Sequence, residues 1–356
     1  MKKKIAFFTK NLDIGGIERA IINYVNSIPK DKYEVTLFLE KKEGIYLNEI
    51  DNDIKIIDFN VSENKIIIVR KLINLLKLLI FSIKYHNKFD FAANFATYLK
   101  SGAILSKRFS KNNAIWYHGN YWETKDEANK FIKYTRTNKY KKIVFVSNSL
   151  KEKYLKYFPN TNQQLYVLNN MINYEEMIEK SKIDLGLKHK KTTILNVGRH
   201  EESSKKLSLL FKTTKKLLDE KYDFNLWLVG SGPDHELYKN MVKELKLSNN
   251  VIFFGKQNNV YPYYKKCDAV ILTSVAEGNP VVFLEAKVLN KPVITTDVSD
   301  AKIDLKGYGI INEYSKDGVY KGLKQFLDKG YNIKNKFNPK EYNIDKLNKL
   351  INIIEE

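Results

Sequence analysis

The chain has almost no cysteine and no long uninterrupted apolar run. Its single cysteine, Cys267, excludes an intramolecular disulfide, which fits a reducing compartment. The most apolar stretch, residues 66–83, is interrupted by one arginine and two lysines, so a transmembrane helix is not expected. The first apolar run, residues 5–8, is too short for a signal peptide and is better explained as a buried strand.

The sequence also lacks internal repeats and any recognisable nucleic-acid-binding module. Its 356 residues, 43% hydrophobic and 29% charged, are typical of a globular protein of two ordinary domains. The net charge of +20 is uneven, because residues 1–170 carry 30 Lys and Arg against 16 Asp and Glu, and residues 171–356 carry 31 against 25. The more basic first half indicates an anionic partner, namely phosphates, an acidic membrane surface or nucleic acid, unless it only reflects a lysine-rich proteome.

Short apolar runs alternate with helical patterns along the chain, which predicts parallel, doubly wound α/β sheets. The predicted strands are residues 4–8, 35–39, 91–95, 114–117, 143–147, 193–197, 224–229, 251–254, 269–272 and 292–295. A polar, acidic stretch at residues 169–183 indicates a boundary. We therefore expect one domain over residues 1–170 and a second over 171–356, with the terminal helix free to pack back on the first.

One predicted helix, within residues 65–88, is both apolar and basic. Its main apolar stripe recurs at helical spacing and is expected to pack on the first sheet. The stripe consists of Leu72, Leu75, Leu76, Leu79 and Ile83, and the cations are Lys65, Arg70, Lys71, Lys77, Lys84 and Lys88. Ile73 and Ile80 lie off the stripe and leave apolar surface for lipid. The helix therefore suits an anionic membrane surface, although a fully packed helix with solvated lysines would carry the same pattern.

Glycines follow several predicted strands. Gly15 and Gly16 precede a helix, where they allow close backbone approach and free N–H groups attract phosphate, or else form an ordinary tight turn. Gly230 follows the strand at 224–229, and Lys256 lies after the strand at 251–254, where a backbone edge can meet a flat base. None of these segments is a G-x-G-x-x-G fingerprint or a P-loop.

Two cations begin the second domain. Arg199 ends the strand at 193–197, and Lys205 and Lys206 stand at the start of the next helical pattern. An arginine and one of these lysines could together hold a diphosphate and stabilise the charge that develops on it as a leaving group. Taken alone, they are better explained as two solvated cations of a basic protein.

The segment 277–285 carries the strongest signal. Pro280 suits the first turn of a helix, Glu277 precedes that helix, and Glu285 falls within it. Backbone N–H groups near Val281 and Val282 would then form a phosphate site between carboxylates that can accept sugar and ribose hydroxyls.

Taken in order, these motifs resemble glycosyltransferase family 4, whose members are retaining enzymes of GT-B fold. The motifs are Gly15-Gly16-x-Glu18-Arg19, Val197-Gly198-Arg199 with Lys205, Gly230-Ser231-Gly232-Pro233, Phe254-Gly255, and Glu277-Gly278-x-Pro280 with Glu285. They span nearly the whole chain. The resemblance implies two Rossmann-like domains that face each other across a cleft, the first binding the acceptor and the second the nucleotide-sugar donor.

The resemblance also implies a role for each matched residue. Arg199 and Lys205 would bind the diphosphate, Glu277 the transferred sugar, and Glu285 the ribose. His118, at the end of the strand 114–117, would lie near the donor sugar, although a histidine there is as readily structural. The implied donor-binding set is Gly15, Gly16, Gly230, Lys256, Gly278, Asn279, Val281, Val282 and Glu285. The family pattern does not decide between Lys205 and Lys206.

We therefore expect a retaining transferase that uses neither a metal nor another cofactor and moves a sugar, UDP-linked, to a glycan or lipid-linked oligosaccharide. Capsule or cell-wall synthesis in a bacterium, in the cytoplasm or at the inner face of its membrane, fits this activity, and nucleic acid is not an expected partner. Asp51-Asn52-Asp53 has the D-x-D form of metal-dependent transferases but reads better as a turn. A nucleotide-sugar epimerase, a basic nucleic-acid-binding protein and a silent sugar-binding partner remain alternatives.

Overall fold

The computed structural model describes residues 1–13, 15–187 and 191–356. They form two compact units, which are described separately. Unit 1 consists of Met1–Met171 and Glu341–Glu356, and unit 2 of Ile172–Lys340. Within these described ranges, no helix has the length and apolar character needed to cross a membrane.

Unit 1 is built on a parallel sheet flanked by helices. Its described strands are β1 (Lys3–Thr9), β2 (Tyr33–Leu39), β3 (Lys55–Asp58), β4 (Phe91–Asn94), β5 (Asn113–Tyr117), β6 (Lys142–Phe145) and β7 (Gln164–Val167). The helices are α1 (Gly16–Ser27), α2 (Ile67–Lys84), α3 (Lys100–Phe109), α4 (Lys125–Thr135) and α5 (Asn148–Tyr157). The strand order is β3-β2-β1-β4-β5-β6-β7, so the chain winds outward in both directions from β1.

Unit 2 repeats this architecture with a smaller sheet. Its described strands are β8 (Thr192–Val197), β9 (Phe224–Val229), β10 (Val251–Gly255), β11 (Ala269–Leu272), β12 (Val293–Thr296) and β13 (Gly309–Asn312), in the order β10-β9-β8-β11-β12-β13. The helices are α6 (Tyr174–Ser181), α7 (Glu202–Lys205), α8 (Leu207–Asp219), α9 (His235–Glu244), α10 (Tyr261–Lys266), α11 (Val281–Val288), α12 (Ala301–Asp304) and α13 (Lys316–Lys329). The last helix, α14 (Pro339–Glu355), belongs to unit 1 from residue 341 onward.

Each sheet is buried on both faces, because side chains alternate along its strands. In β1, Ile5 and Phe7 join one core cluster while Ala6 and Phe8 join the cluster on the opposite face. The predicted doubly wound α/β fold is thus confirmed, and each predicted strand lies within two residues of an observed one. Strand β3 lies within the strand expected at residues 54–59, after the turn at 51–53. Strands β7 and β13 were not predicted, since β7 begins with a polar residue and the four residues of β13 contain only two large apolar side chains.

The last helix, α14, contributes its apolar side to unit 1. Leu350, Ile353 and Ile354 are buried in the main core cluster of that unit. The Lys142 ammonium, buried at the start of β6, donates to the Ile353 carbonyl at 2.6 Å, and burial lowers the pKa of Lys142 to about 8. The helix therefore supplies both apolar contacts and a backbone acceptor that a buried lysine requires.

Helix α2 is oriented opposite to our expectation. The stripe predicted to pack on the sheet points to solvent, with Leu72, Leu75, Leu76, Leu79 and Ile83 all more than half exposed. The sheet is contacted instead by Leu78, Phe81 and Tyr85. Phe81 packs on Phe59 with ring centroids 5.1 Å apart. Both sides of this helix are apolar, and the larger aromatic side chains occupy the inner one.

Candidate active site

The site in unit 2 forms where its chain reverses direction across the sheet. Strands β8 and β11 are neighbours, but the chain continues from β8 to β9 on one side and from β11 to β12 on the other. The loops that leave the carboxyl ends of β8 and β11 therefore diverge and leave a crevice, which is where doubly wound sheets bind ligands. Arg199 and Lys205 follow β8, and Glu277 follows β11.

These two loops place a lysine against a glutamate. The Lys205 ammonium lies 2.5 Å from the Glu277 carboxylate, and the Ser274 hydroxyl donates to the same carboxylate oxygen at 2.6 Å. Both charged side chains are mostly buried, with 27% of Lys205 and 14% of Glu277 exposed. Because solvent has little access to this ion pair, the relative position of the two side chains stabilises it as well as their opposite charges.

Backbone contacts fix Lys205 in this position. The Val275 amide donates to the Ser204 carbonyl, and the Thr273 hydroxyl donates to the Lys205 carbonyl, each at 2.9 Å. A Cβ built on Gly198 would lie 3.8 Å from the Lys205 Cε, so this side chain crosses the end of β8. Lys205, rather than Lys206, is therefore the lysine whose ammonium reaches Glu277.

Arg199 is held less firmly than Lys205. Its side chain is 67% exposed, and its guanidinium lies 3.9 Å from the Glu201 carboxylate. The next residue, His200, is fully buried, and its Nδ1 lies 2.7 Å from Nδ1 of His235 on α9. Burial lowers the pKa of His200 to about 4, so His200 is neutral at pH 7 and anchors the backbone next to the mostly exposed Arg199.

Helix α11 begins beside Glu277. Pro280 is its N-cap, and the helix runs from Val281 with Val282 as its second residue, so the first N–H groups and the positive end of the helix dipole point toward this loop. Gly278 is buried, and its carbonyl accepts a hydrogen bond from the Ser299 hydroxyl. Asn279 is half-buried between them.

Glu285, one turn into α11, has a buried partner. The Tyr264 hydroxyl, from α10, donates to the Glu285 carboxylate. Tyr264 is completely buried, and burial together with the adjacent carboxylate raises the pKa of its phenol well above the usual range. The phenol therefore remains a permanent donor that fixes the orientation of Glu285.

The glycines after β9 serve the packing of two loops. Gly230 has φ +144°, and a Cβ there would lie 1.9 Å from the Gly198 carbonyl oxygen; at Gly232 it would lie 2.4 Å from the His200 carbonyl oxygen. Glycines at this strand end allow another group to approach the backbone closely. Within unit 2, the group that approaches Gly230 and Gly232 is the backbone of the loop after β8. Lys256, after β10, is exposed.

Unit 1 holds the remaining predicted site residues. Gly15 is the N-cap of α1, where an added Cβ would meet the Glu18 carboxylate, whereas a Cβ built on Gly16 would have open space around it. His118 follows β5, and its Nε2 lies 2.9 Å from the Phe95 carbonyl at the end of the neighbouring β4. Because a carbonyl only accepts, Nε2 carries the proton. Burial lowers the pKa of His118 to about 4, which leaves its Nδ1 as an acceptor at pH 7.

Asp51–Asp53 precedes β3 in a turn, and the Lys30 ammonium lies 3.8 Å from the Asp51 carboxylate. Among the residues that the structure describes, no three His, Cys, Asp or Glu side chains are grouped to hold a metal ion.

Sequence reasoning missed the supporting residues Ser274, Tyr264 and His235. Ser274 directly follows a predicted buried strand and lies three residues before Glu277, a position that could have signalled a donor to that carboxylate. Tyr264 and His235 gave no such signal, since an aromatic residue on a short helix is ordinarily part of the core.

Residues 177–352 match the family model of glycosyl transferases group 1. The chain is 27% identical over 310 residues to an uncharacterized glycosyltransferase of Haemophilus influenzae, covering 83% of this chain and 81% of that one. It is 31% identical over 166 residues to the N-acetylgalactosamine-N,N'-diacetylbacillosaminyl-diphospho-undecaprenol 4-alpha-N-acetylgalactosaminyltransferase of Campylobacter jejuni, covering 46% and 44%.

The crystal structure of Anabaena HepE in complex with UDP superposes on this chain with a TM-score of 0.74 at 15% identity, covering 99% of this chain and 100% of HepE. At that identity the likeness establishes the fold. The structural likeness shows the GT-B fold, and the family model over residues 177–352 and the related transferases support a family 4-like glycosyltransferase.

Proposed function

We propose that this chain is a retaining transferase that moves a sugar from UDP to a glycan or lipid-linked oligosaccharide in the synthesis of a bacterial cell-surface polysaccharide. The observation that carries the proposal is the mostly buried Lys205–Glu277 pair at the reversal point of the unit 2 sheet. Two comparisons support the finer choices. The similar HepE structure contains UDP, and the Campylobacter relative is named for a diphospho-undecaprenol-linked acceptor.

The donor diphosphate would bind where positive charge converges. Lys205 and Arg199 supply two cations, and the first N–H groups of α11 supply hydrogen-bond donors at Val281 and Val282. In this arrangement the phosphate takes over the Lys205 ammonium, and Glu277 is released to accept hydroxyls of the transferred sugar. The cations stabilise the charge that grows on the leaving phosphate, which is the role a metal plays in other transferases.

Glu285 would bind the nucleoside. Its carboxylate can accept two ribose hydroxyls while the Tyr264 phenol holds it in place. The open backbone at Gly255, with φ +68° and no atom within 4 Å of an added Cβ, suits a flat base next to Lys256. Gly15 and Gly16, at the start of α1 in unit 1, keep their predicted role as phosphate contacts.

The transfer itself requires no protein nucleophile. The acceptor oxygen bonds to the anomeric carbon on the face from which the phosphate leaves, the bond from that carbon to the phosphate oxygen breaks, and the departing phosphate takes the acceptor proton. His118 remains neutral at pH 7 because of its low pKa, and its Nδ1 is able to accept a sugar hydroxyl. We place this reaction in the cytoplasm, at the inner face of the membrane.

A panel of nucleotide-sugars tests the proposal directly. We expect release of nucleoside diphosphate from a UDP-sugar, at a rate that EDTA does not change, because Arg199 and Lys205 provide the positive charge. With a glycan acceptor, NMR of the product should give an α-linked anomeric proton from an α-linked donor. A β-linked product would contradict retention, and no release from any member of the panel would contradict the transferase assignment to this site.

Adjacent lysines provide a matched test of leaving-group stabilisation. Lys205→Met should lower kcat by roughly 10²–10³, the scale of losing one preorganised charge contact. Lys206→Met removes the same charge one residue away and should stay close to the wild-type kcat, because Lys205 is the residue paired with Glu277. The opposite ranking of the two variants, with both still folded by circular dichroism, would show that Lys206 binds the phosphate.

Two adjacent tyrosines test the positioning of Glu285. Tyr264→Phe removes only the hydroxyl that donates to Glu285, so the KM for the donor should rise by roughly 10-fold, the value of a hydrogen bond to a charged group, while kcat changes less. Tyr263→Phe is the control, since that ring packs against Phe254 at 4.8 Å between centroids. A fall in kcat without a change in KM would contradict the positioning role, and equal effects of both variants would indicate a packing defect.

A further inference from the structure

The outer face of α2 is the largest concentration of exposed apolar side chains in the described part of the chain. Of the 22 large hydrophobic side chains that are exposed there, ten lie between residues 66 and 83. They are Ile66, Ile67, Ile68, Val69, Leu72, Leu75, Leu76, Leu79, Ile80 and Ile83, each 37% to 78% exposed. A contiguous apolar surface of this kind on a folded protein marks a site that another surface covers.

This outer face is not left over from imperfect packing. The opposite side of the same helix is partly buried against unit 1, where the rings of Phe81 and Tyr85 contact Phe38 with centroids 6.5 and 5.3 Å away. The helix also has a fixed N-terminal connection, in which the Asn74 side chain accepts from the Ser62 amide at 2.7 Å. The exposed leucines and isoleucines are therefore presented to solvent by a helix whose inner side is already satisfied.

The charges around the outer face are all of one sign. Residues 64–89 contain six Lys and Arg and no Asp or Glu. Arg70, Lys77 and Lys84 are seven residues apart, so they share one flank of the helix, and Lys71 lies on the other flank. The nearest acid along the chain, Glu63, already pairs with Lys41. The face is thus an apolar stripe bordered by cations on both sides.

We propose that this face, the α2 surface of residues 66–83, docks the protein on an anionic lipid membrane, with the stripe in the headgroup and acyl boundary and the cations on the lipid phosphates. Charge complementarity decides between this occupant and a second copy of the chain. A two-fold contact would bring Arg70, Lys71 and Lys84 against the same basic residues of its partner without any acid between them, whereas anionic lipid neutralises them. The inference names the surface where the protein would meet a lipid-linked acceptor. Only this biological role rests on the proposed function; the binding to lipid does not.

Vesicle sedimentation of the full chain tests the docking surface. Wild-type protein should bind vesicles of phosphatidylglycerol mixed with phosphatidylcholine, bind phosphatidylcholine alone weakly, and dissociate as salt is raised. Each cation near an anionic surface strengthens partitioning by roughly fivefold, so Arg70→Glu, Lys71→Glu and Lys84→Glu together should weaken it by at least about 100-fold. Lys77 is left unchanged because its ammonium donates to the Asn60 carbonyl.

A second variant removes apolar surface and leaves the charge intact. Leu75→Gln with Leu79→Gln changes two exposed positions, so the fold should persist while vesicle binding falls by at least about tenfold. The matched control reverses three exposed lysines on α13, Lys316, Lys321 and Lys329, and should bind as the wild type does.

Two results would overturn the proposal. One is equal recovery with neutral and anionic vesicles. The other is a wild-type protein that does not bind vesicles but forms a dimer in analytical ultracentrifugation, which Leu75→Gln with Leu79→Gln converts to monomer. That result would assign the face to a second copy. Transfer of the sugar from a UDP-sugar to a water-soluble glycan acceptor, read as release of UDP, is measured in parallel. Loss of that activity with intact vesicle binding would refute the transferase proposal alone, and the reverse would refute only the docking surface.

Discussion

The proposed donor site depends on one interaction, the ion pair between the Lys205 ammonium and the Glu277 carboxylate. The pair forms because β8 and β11 are neighbours in the sheet. In the sequence, 71 residues lie between Val197, the last residue of β8, and Ala269, the first residue of β11. Hydrogen bonds from Thr273 and Val275 to the Lys205 loop hold the two strand ends together. Both charged side chains are mostly buried. In the proposed mechanism, a phosphate therefore replaces the carboxylate beside Lys205 without any further cost of burying the lysine.

The residues around the ion pair differ in how firmly their side chains are held. Glu277 and Glu285 are each oriented by a neighbouring hydroxyl, from Ser274 and Tyr264, so their carboxylates need little reordering when a sugar nucleotide arrives. Arg199 is mostly exposed. In the proposed mechanism the buried lysine and the exposed arginine together stabilise the phosphate as its negative charge increases.

The sequence predicts most of the fold because buried parallel strands leave a plain signal, a short apolar run with polar ends, and the ligand loops follow those ends. It could not predict which lysine meets Glu277, because Lys205 and Lys206 differ only by the turn between α7 and α8, where Lys206 takes φ +51°. It gave the wrong inner face for α2, because both sides of that helix are apolar and periodicity alone does not rank leucine against phenylalanine. Tyr264 was missed because its contact with Glu285 is made across two helices.

The central claim, that Lys205 is a phosphate site which Glu277 occupies until the donor binds, is tested most directly by calorimetric titration of UDP. Lys205→Met should weaken UDP binding by roughly 10-fold or more, since a charge-assisted contact is lost. Glu277→Gln should bind UDP as tightly as the wild type or more tightly, because a neutral amide no longer competes for the ammonium. Equal weakening by both variants, or wild-type affinity in Lys205→Met, would contradict the claim.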